Sequence, residues 1–258
     1  MESAGQLCVR IAIAQPTYLP WLGFFDLIDQ VDAFVILDSV QFEKQSWQQR
    51  NRIKTPAGLQ WLTVPVVFRG RFGQSIQDVE IRDCEFWRKH LRAIELSYRR
   101  APFFEDHFHH LSARLNCSQG TRLLTLNVRL IEWFMSLLVI RTPLFFSSAL
   151  GLPGKRTELL ANICATLGAT AYISPIGSAA YLLQEIDLLE SRSVRVLFHN
   201  YQHPSYAQMF PPFVPYASIL DLIFNEGQRA SEVVRCGRRP ALLPDQVGEV
   251  KDLLTCPR

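Results

Sequence analysis

Residues 11–54 read IAIAQPTYLPWLGFFDLIDQVDAFVILDSVQFEKQSWQQRNRIK. The run from Val9 to Ala14 is apolar and of strand length, and Gln15-Pro16-Thr17-Tyr18-Leu19-Pro20-Trp21 breaks it. Leu22 to Gln30 then carries apolar residues at helical spacing, and Phe34 to Leu37 is a second strand-like run ending on Asp38. Strand, loop, helix and strand in this short compass is the βαβ signature. In such units the ligand crevice lies beyond the carboxyl ends of the strands. Both unusual clusters, Gln15–Trp21 and Asp38–Lys54, fall at that end. Prolines and tryptophans also shape turns and fill cores, but two such clusters at one end favour a site.

Working outward, Leu59 to Phe68 reads as a strand whose Pro65 places it at an edge or bulge. Arg69-Gly70-Arg71-Phe72-Gly73 is a turn, and Ile76 to Ile81 alternates weakly as a short strand. The character then changes. Phe86, His90, Ala93, Ile94 and Tyr98 form a helical stripe ending before Pro102. A shorter helix runs from there to Leu115, and Thr121 to Ile140 is the longest helix candidate. Beyond it the βα alternation resumes, with strands at Leu144–Ser147, Ala171–Ser174 and Val194–Phe198. Helices cover Lys155–Leu167, stopped by Gly168, and a segment from Ala179. The expectation is one α/β domain with an open, mostly parallel Rossmann-like sheet and a helical insert. Its parts are an N-terminal βαβ half (8–83), the insert (84–141), a C-terminal α/β half (142–235) and a turn-rich tail (236–258).

A chain of 258 residues can bury a sizeable core, and 48% hydrophobic with 20% charged residues is ordinary for a globular protein. The net charge of +3, without a dense basic run, argues against nucleic acid as a partner. Six cysteines are scattered without a C-x-x-C pair, which argues against a disulfide framework. The N-terminus lacks a secretion-signal pattern, and the longest apolar stretch, Phe134–Ile140, is far short of a membrane span. A cytoplasmic location is expected.

Among the constellations, His107, His109 and His110 send their side chains to different faces of a helix, so no metal site is expected. Gly151-x-x-Gly154-Lys155-Arg156-Thr157 resembles a phosphate loop but lacks the spacer of a Walker sequence; it remains a helix N-terminus able to meet an anion. Neither G-x-S-x-G nor G-x-G-x-x-G occurs. The cluster Asp38, Gln41, Lys44, Trp47, Arg50, Asn51 and Lys54 is the more informative. It is the inventory for holding a phosphorylated or carboxylated small molecule, with Arg as a planar fork, Lys as a point charge and Trp for stacking. A solvated surface helix would carry similar residues. Gly177, Ser178 and Tyr181 follow the strand ending at Ser174, where bared backbone N–H groups suit phosphate. Ser218 and Asp221 read as the cap and capping-box partner of a helix.

Together these residues resemble the WbqC-like family. The motifs are Gln15-Pro16-x-Tyr18-Leu19-Pro20-Trp21-x-Gly23-Phe24-Phe25 and Asp38-x-Val40-Gln41-Phe42-x-Lys44-x-x-Trp47 with Arg50-Asn51-x-Ile53-Lys54. Trp61-Leu62-Thr63-Val64-Pro65-Val66, Tyr172-Ile173-Ser174-x-x-Gly177 with Tyr181, and Ser218-Ile219-Leu220-Asp221 before Asn225 complete it. Pro175 departs from the glycine expected there. The resemblance implies a transferase acting on a nucleotide-activated or phosphorylated amino sugar in O-antigen or other surface polysaccharide biosynthesis, with N-acyl or aminoacyl transfer as the reaction. Cofactors stay unassigned. A more distant likeness is to the H-x-G-H loop of nucleotidyltransferases, whose histidine places hold Tyr18 and Trp21 here; an adenylating or nucleotidyl-transfer enzyme lacking those histidines is a further alternative. The expected catalytic residues are Asp38, as general base, with Lys44 and Tyr18. The expected substrate-binding residues are Gln15, Pro16, Trp21, Gln41, Trp47, Arg50, Asn51, Lys54, Ser174, Gly177 and Tyr181. The partner is a small anionic nucleotide or sugar phosphate. The remaining alternative is a non-catalytic scaffold for polysaccharide-biosynthetic enzymes, exposing Pro211–Tyr216.

Overall fold

Strand β1 (Arg10–Ala14) alternates its side chains between two faces, and both faces are apolar. Ile11 and Ile13 enter one core cluster while Ala12 enters the other, with Ala14 packed against it. A strand buried on both faces belongs at the centre of a parallel sheet, with helices on either side. The computed structural model, which describes residues 8–116 and 121–248, has that architecture.

Helix α1 (Leu22–Asp29) returns the chain to β2 (Ala33–Ile36). A hairpin of β3 (Arg50–Thr55) and β4 (Gly58–Thr63) follows, then the helices α2 (Phe86–Tyr98), α3 (Phe104–Leu115) and α4 (Leu123–Leu137). The sheet resumes with β5 (Leu144–Phe146), a short α5 (Ser147–Leu150), α6 (Thr157–Thr166) and β6 (Ala171–Ser174). Next come α7 (Ala179–Leu182), α8 (Asp187–Glu190), β7 (Arg195–Phe198), α9 (Ile219–Glu226) and α10 (Ala230–Cys236).

The five-stranded sheet has the order β5-β2-β1-β6-β7, and every pair is parallel. Ile11 lies opposite Ala33 on one side and Tyr172 on the other. From β1 the chain builds outward to β2 and β5, then crosses to β6 and β7. The direction of winding therefore reverses between β1 and β6, the point at which open α/β sheets bind ligands beyond the strand ends. The open, parallel Rossmann-like sheet is as expected.

One face of the sheet packs Phe34, Ile36 and Ile173 against α1, the three-helix segment and α9. The other packs Ile11, Val35, Tyr172 and Val196 against α6 and the segment 179–189. Burying one such aliphatic or aromatic side chain contributes roughly 1.5–3 kcal/mol. At the base of α1, buried Asp26 accepts hydrogen bonds from His199 Nε2 (2.8 Å) and Arg238 Nε (2.9 Å), which fastens the segment after α10 to the first helix.

Several local expectations are corrected. The stretch 38–54 is neither one helix nor one loop; from Arg50 it is a strand paired antiparallel with β4. That second strand ends at Thr63, so Pro65 lies outside it, where its missing N–H costs no ladder bond. Ile76–Asp78 is a 3-10 turn, and Glu80 and Ile81 make isolated bridges, to Arg122 and Val66. Helix α6 starts at Thr157 because Gly154 (φ +102°) and Arg156 (φ +51°) hold non-helical backbone before it. Ser218 caps α9 through its hydroxyl, which accepts from the Leu220 N–H, but Asp221 faces inward rather than closing a capping box. Cys8, Cys84, Cys164 and Cys236 are free thiols, and burial pushes the Cys164 thiol up to about 12. Cys117 and Cys256 lie outside the described residues. No helix among the described residues is long and apolar enough to cross a membrane.

Candidate functional site

The loop after β1 is held from the hairpin side. Asn51 Nδ2 donates to the carbonyls of Tyr18 (3.2 Å) and Leu19 (2.7 Å), and the Tyr18 N–H donates to Trp47 O (2.9 Å). Gln48 Nε2 donates to Gln15 Oε1 at 2.8 Å. Pro16 and Tyr18 are buried. The Tyr18 hydroxyl is 2.8 Å from His90 Nδ1, while His90 Nε2 is 3.2 Å from the Thr63 carbonyl. A carbonyl only accepts, so Nε2 carries the proton and Nδ1 accepts from Tyr18. Burial lowers the His90 pKa to about 4, against the opposing Thr63 bond. Tyr18 thus seals the floor of the loop.

On the face of the hairpin opposite Asn51 and Ile53, the two-residue period of a strand sets Arg50, Arg52 and Lys54 together. Trp61 lies opposite Arg52 on that face. The Arg50 guanidinium sits 4.2 Å from the centre of the Trp61 ring, and that of Arg52 is 5.3 Å from both Trp47 and Trp61. The two indoles are 5.2 Å apart. Trp61 is 36% exposed, and Arg50 Nε is buried without a hydrogen-bond partner. A cation over indole contributes about 0.5–1 kcal/mol at an exposed site and more when desolvated.

The third basic residue of this face is withdrawn from solvent. Lys54 is 2% exposed and donates from Nζ to the Pro212 carbonyl at 2.5 Å. Burial lowers its pKa, with the nearby Asp221 charge opposing. Asp221 accepts from Tyr98 (2.9 Å), Tyr206 (2.7 Å) and Gln208 (2.8 Å), and burial still raises its pKa against those bonds and the Lys54 charge.

Trp21, at the start of α1, bridges Ser218, whose N–H donates to Arg52 O at 2.8 Å. Its indole stacks on His203 at 6.3 Å with an interplanar angle of 14°. His203 is further ringed by Tyr206, Phe213 and Tyr216, with centroids 6.2, 5.9 and 5.2 Å away. His203 Nδ1 lies 2.9 Å from the Pro204 carbonyl and must carry the proton, which leaves the Nε2 lone pair buried and without a partner. Burial lowers this imidazole to about 4.

The remaining expected residues are spread along the same edge of the sheet. Asp38 follows β2 and is fully buried; it accepts from Ser147 Oγ (2.9 Å), Ser148 N–H (2.9 Å) and Ser148 Oγ (2.6 Å). It fastens the end of β2 to α5 and does not pair with Arg50. Gln41 is exposed and bridges Ser75, and exposed Lys44 lies 3.9 Å over the Phe68 ring. Beyond β6 the expected nest of bared N–H groups is a 3-10 turn, because the Ser178 N–H is already taken by the Pro175 carbonyl. Ser174 Oγ and Ser178 Oγ are 2.5 Å apart, Gly177 is exposed, and burial raises the Tyr181 hydroxyl pKa. The structure therefore brings Gln15, Trp47, Arg50, Asn51 and Tyr18 together, and sets Asp38, Lys44 and Ser174 in separate groups. Arg52 and His203 are additions. The alternation of basic residues at 50, 52 and 54 was the available signal for Arg52, whereas nothing local marks His203. Among the described residues no group of three His, Cys, Asp or Glu could hold a metal ion.

A five-stranded parallel sheet whose winding reverses between β1 and β6 defines a Rossmann-like α/β protein. The chain belongs to the WbqC-like protein family, whose profile matches residues 15–233. It is similar to the uncharacterized protein Rv1507c of Mycobacterium tuberculosis, with 39% identity over 231 residues covering 89% of this chain and 99% of that protein. No solved structure matches.

Proposed function

We propose that this WbqC-like protein is a transferase that binds a nucleotide-activated or phosphorylated amino sugar and transfers an acyl or aminoacyl group to its nitrogen in surface polysaccharide assembly. The observation that carries the reading is Arg50, stacked on Trp61 with a buried Nε that has no hydrogen-bond partner among the described residues. A guanidinium fork presented on aromatic planes suits phosphate oxygens together with a base or sugar ring. In this reading Arg50 and Arg52 take the anion, and Trp47 and Trp61 take the ring. Gln15 and Asn51 set the loop, and Asp38 keeps the β2–α5 junction closed. As the amine nitrogen bonds to the acyl carbon, that carbon's bond to the acyl donor breaks, the donor group leaves with the electron pair, and the lone pair on His203 Nε2 takes the amine proton. For the scaffold alternative, Phe213 packs inward against His203 and Tyr206, while Pro211, Pro212 and Pro215 of the same stretch are exposed.

Thermal denaturation with UDP-N-acetylglucosamine, other nucleotide-linked amino sugars and nucleoside triphosphates tests the reading. A ligand at about a hundred times its Kd adds about 2.7 kcal/mol and a clear rise in Tm. If none of these ligands raises Tm at millimolar concentration, the reading fails.

A further inference from the structure

On the sheet face opposite the hairpin, the start of α6 combines three features that the reading above does not use. First, the Glu158 and Leu160 N–H groups are taken by the carbonyls of Lys155 and Arg156, both at 3.2 Å, while those of Thr157 and Leu159 have no such acceptor among the described residues. Second, Thr157 is fully buried, yet its Oγ1 has no hydrogen-bond partner. Buried hydroxyls are nearly always satisfied, so an open one has room for a partner from outside the protein, a water or a ligand. Side chains of the first helical turn lean toward the helix N-terminus, which places this hydroxyl at the same end as the open N–H groups. Third, Gly154 passes close over the turn: a Cβ there would lie 3.1 Å from Leu159 N and 3.0 Å from Glu158 Cγ. Asn162 Nδ2 donates to the Pro153 carbonyl at 2.8 Å and holds the loop in that position.

We propose that the N-terminus of α6 is a phosphate-binding site, separate from the Arg50–Trp61 stack, in which the Thr157 hydroxyl and the N–H groups of Thr157 and Leu159 take the oxygens of a phosphate or diphosphate group. Lys155 and Arg156 supply positive charge. Arg156 lies 5.6 Å over the Tyr181 ring and 3.9 Å from the Glu185 carboxylate. Glu185 and the exposed Glu158 oppose an anion in part, which suits a site that holds and releases its ligand. A tetrahedral oxyanion matches three convergent donors at a helix start. The site makes no demand on the identity of the reaction, so it stands or falls apart from the transferase reading.

The test is titration of inorganic phosphate and pyrophosphate into the isotope-labelled full chain, following the backbone amide signals of Thr157 and Leu159, with sodium chloride at matched ionic strength as control. Saturable shifts at these two amides are expected. Thr157→Val keeps the shape and removes the hydroxyl. It should weaken pyrophosphate binding by roughly tenfold, a hydrogen bond to a charged group. Its Tm in phosphate-free buffer should equal or exceed that of the wild type, because the buried hydroxyl has no protein partner to lose. Amides unmoved by about 20 mM of either anion, where even millimolar sites are occupied, overturn the proposal. So does wild-type binding by Thr157→Val, and so does a Tm several degrees lower, which would give the hydroxyl a structural role.

Discussion

The guanidinium carbon of Arg50 sits 4.2 Å from the centre of the Trp61 ring, and none of the ion pairs among the described residues includes Arg50. A charge held by an aromatic plane and not by a carboxylate remains available to a ligand. Arg50→Lys keeps the charge but loses the planar fork. It should weaken nucleotide-sugar binding by about 1–3 kcal/mol with little change in Tm. Calorimetric titration beside a melting curve checks both halves, and wild-type affinity would remove Arg50 from the site.

Asp38 leads to the opposite pattern. Its carboxylate accepts from Ser147 and from two groups of Ser148, so Asp38→Asn turns one acceptor into a donor facing donors. A loss of about 1.5–3 kcal/mol of stability is expected, with ligand affinity per folded molecule unchanged. Denaturant unfolding measures the first and calorimetry the second. If turnover collapsed while stability held, Asp38 would be the general base and His203 would not.

His203→Phe keeps an aromatic ring among Trp21, Tyr206, Phe213 and Tyr216 and removes the lone pair. Stability should hold or rise, since a buried acceptor without a partner disappears. Transfer to the amino sugar should slow by about 10²–10⁴, the usual contribution of a general base. A variant with wild-type turnover would exclude His203 from proton transfer.

Acid should destabilise the fold through His90. Its folded pKa of about 4 lies below the ordinary imidazole value, so between the two the unfolded chain binds a proton that the folded chain refuses. Stability is then full above about pH 6.5 and falls as the pH drops toward 4, by on the order of 3 kcal/mol from this group. Asp221 works in the other direction, because its raised pKa makes the folded state gain relative stability as it is protonated. His203, also lowered to about 4, adds a loss of the same sign as that of His90. Unfolding curves at pH 7 and pH 4.5 measure the balance, and His90→Gln should remove the His90 share of the dependence. An unchanged slope in that variant would assign the acid loss elsewhere.

The central β1–α1–β2 unit was legible in the sequence because its apolar periods are local, and β6 matches its expected bounds at Ala171 and Ser174. The hairpin was not. Its second residue set, Arg50, Arg52 and Lys54, looks like a solvated face, and what buries it comes from elsewhere: Trp61 across the hairpin and Pro212 far along the chain. The partners of Asp38 were hidden for the same reason, since its serines lie more than a hundred residues away. His203 owes its open lone pair to Trp21 at the start of α1 and to three rings of the connection between β7 and α9, an arrangement that no spacing rule reports.

Tyr98 ends α2, yet its hydroxyl accepts from the Lys54 N–H of the hairpin at 2.8 Å and donates to Asp221 of α9. His90, on the same helix, receives the Tyr18 hydroxyl. Cutting out the three middle helices would strand polar groups in both sheet halves at once. Although those helices interrupt the βα alternation like a later addition, the chain has no shorter version of itself to fall back on, and trimming them would remove the fold with them.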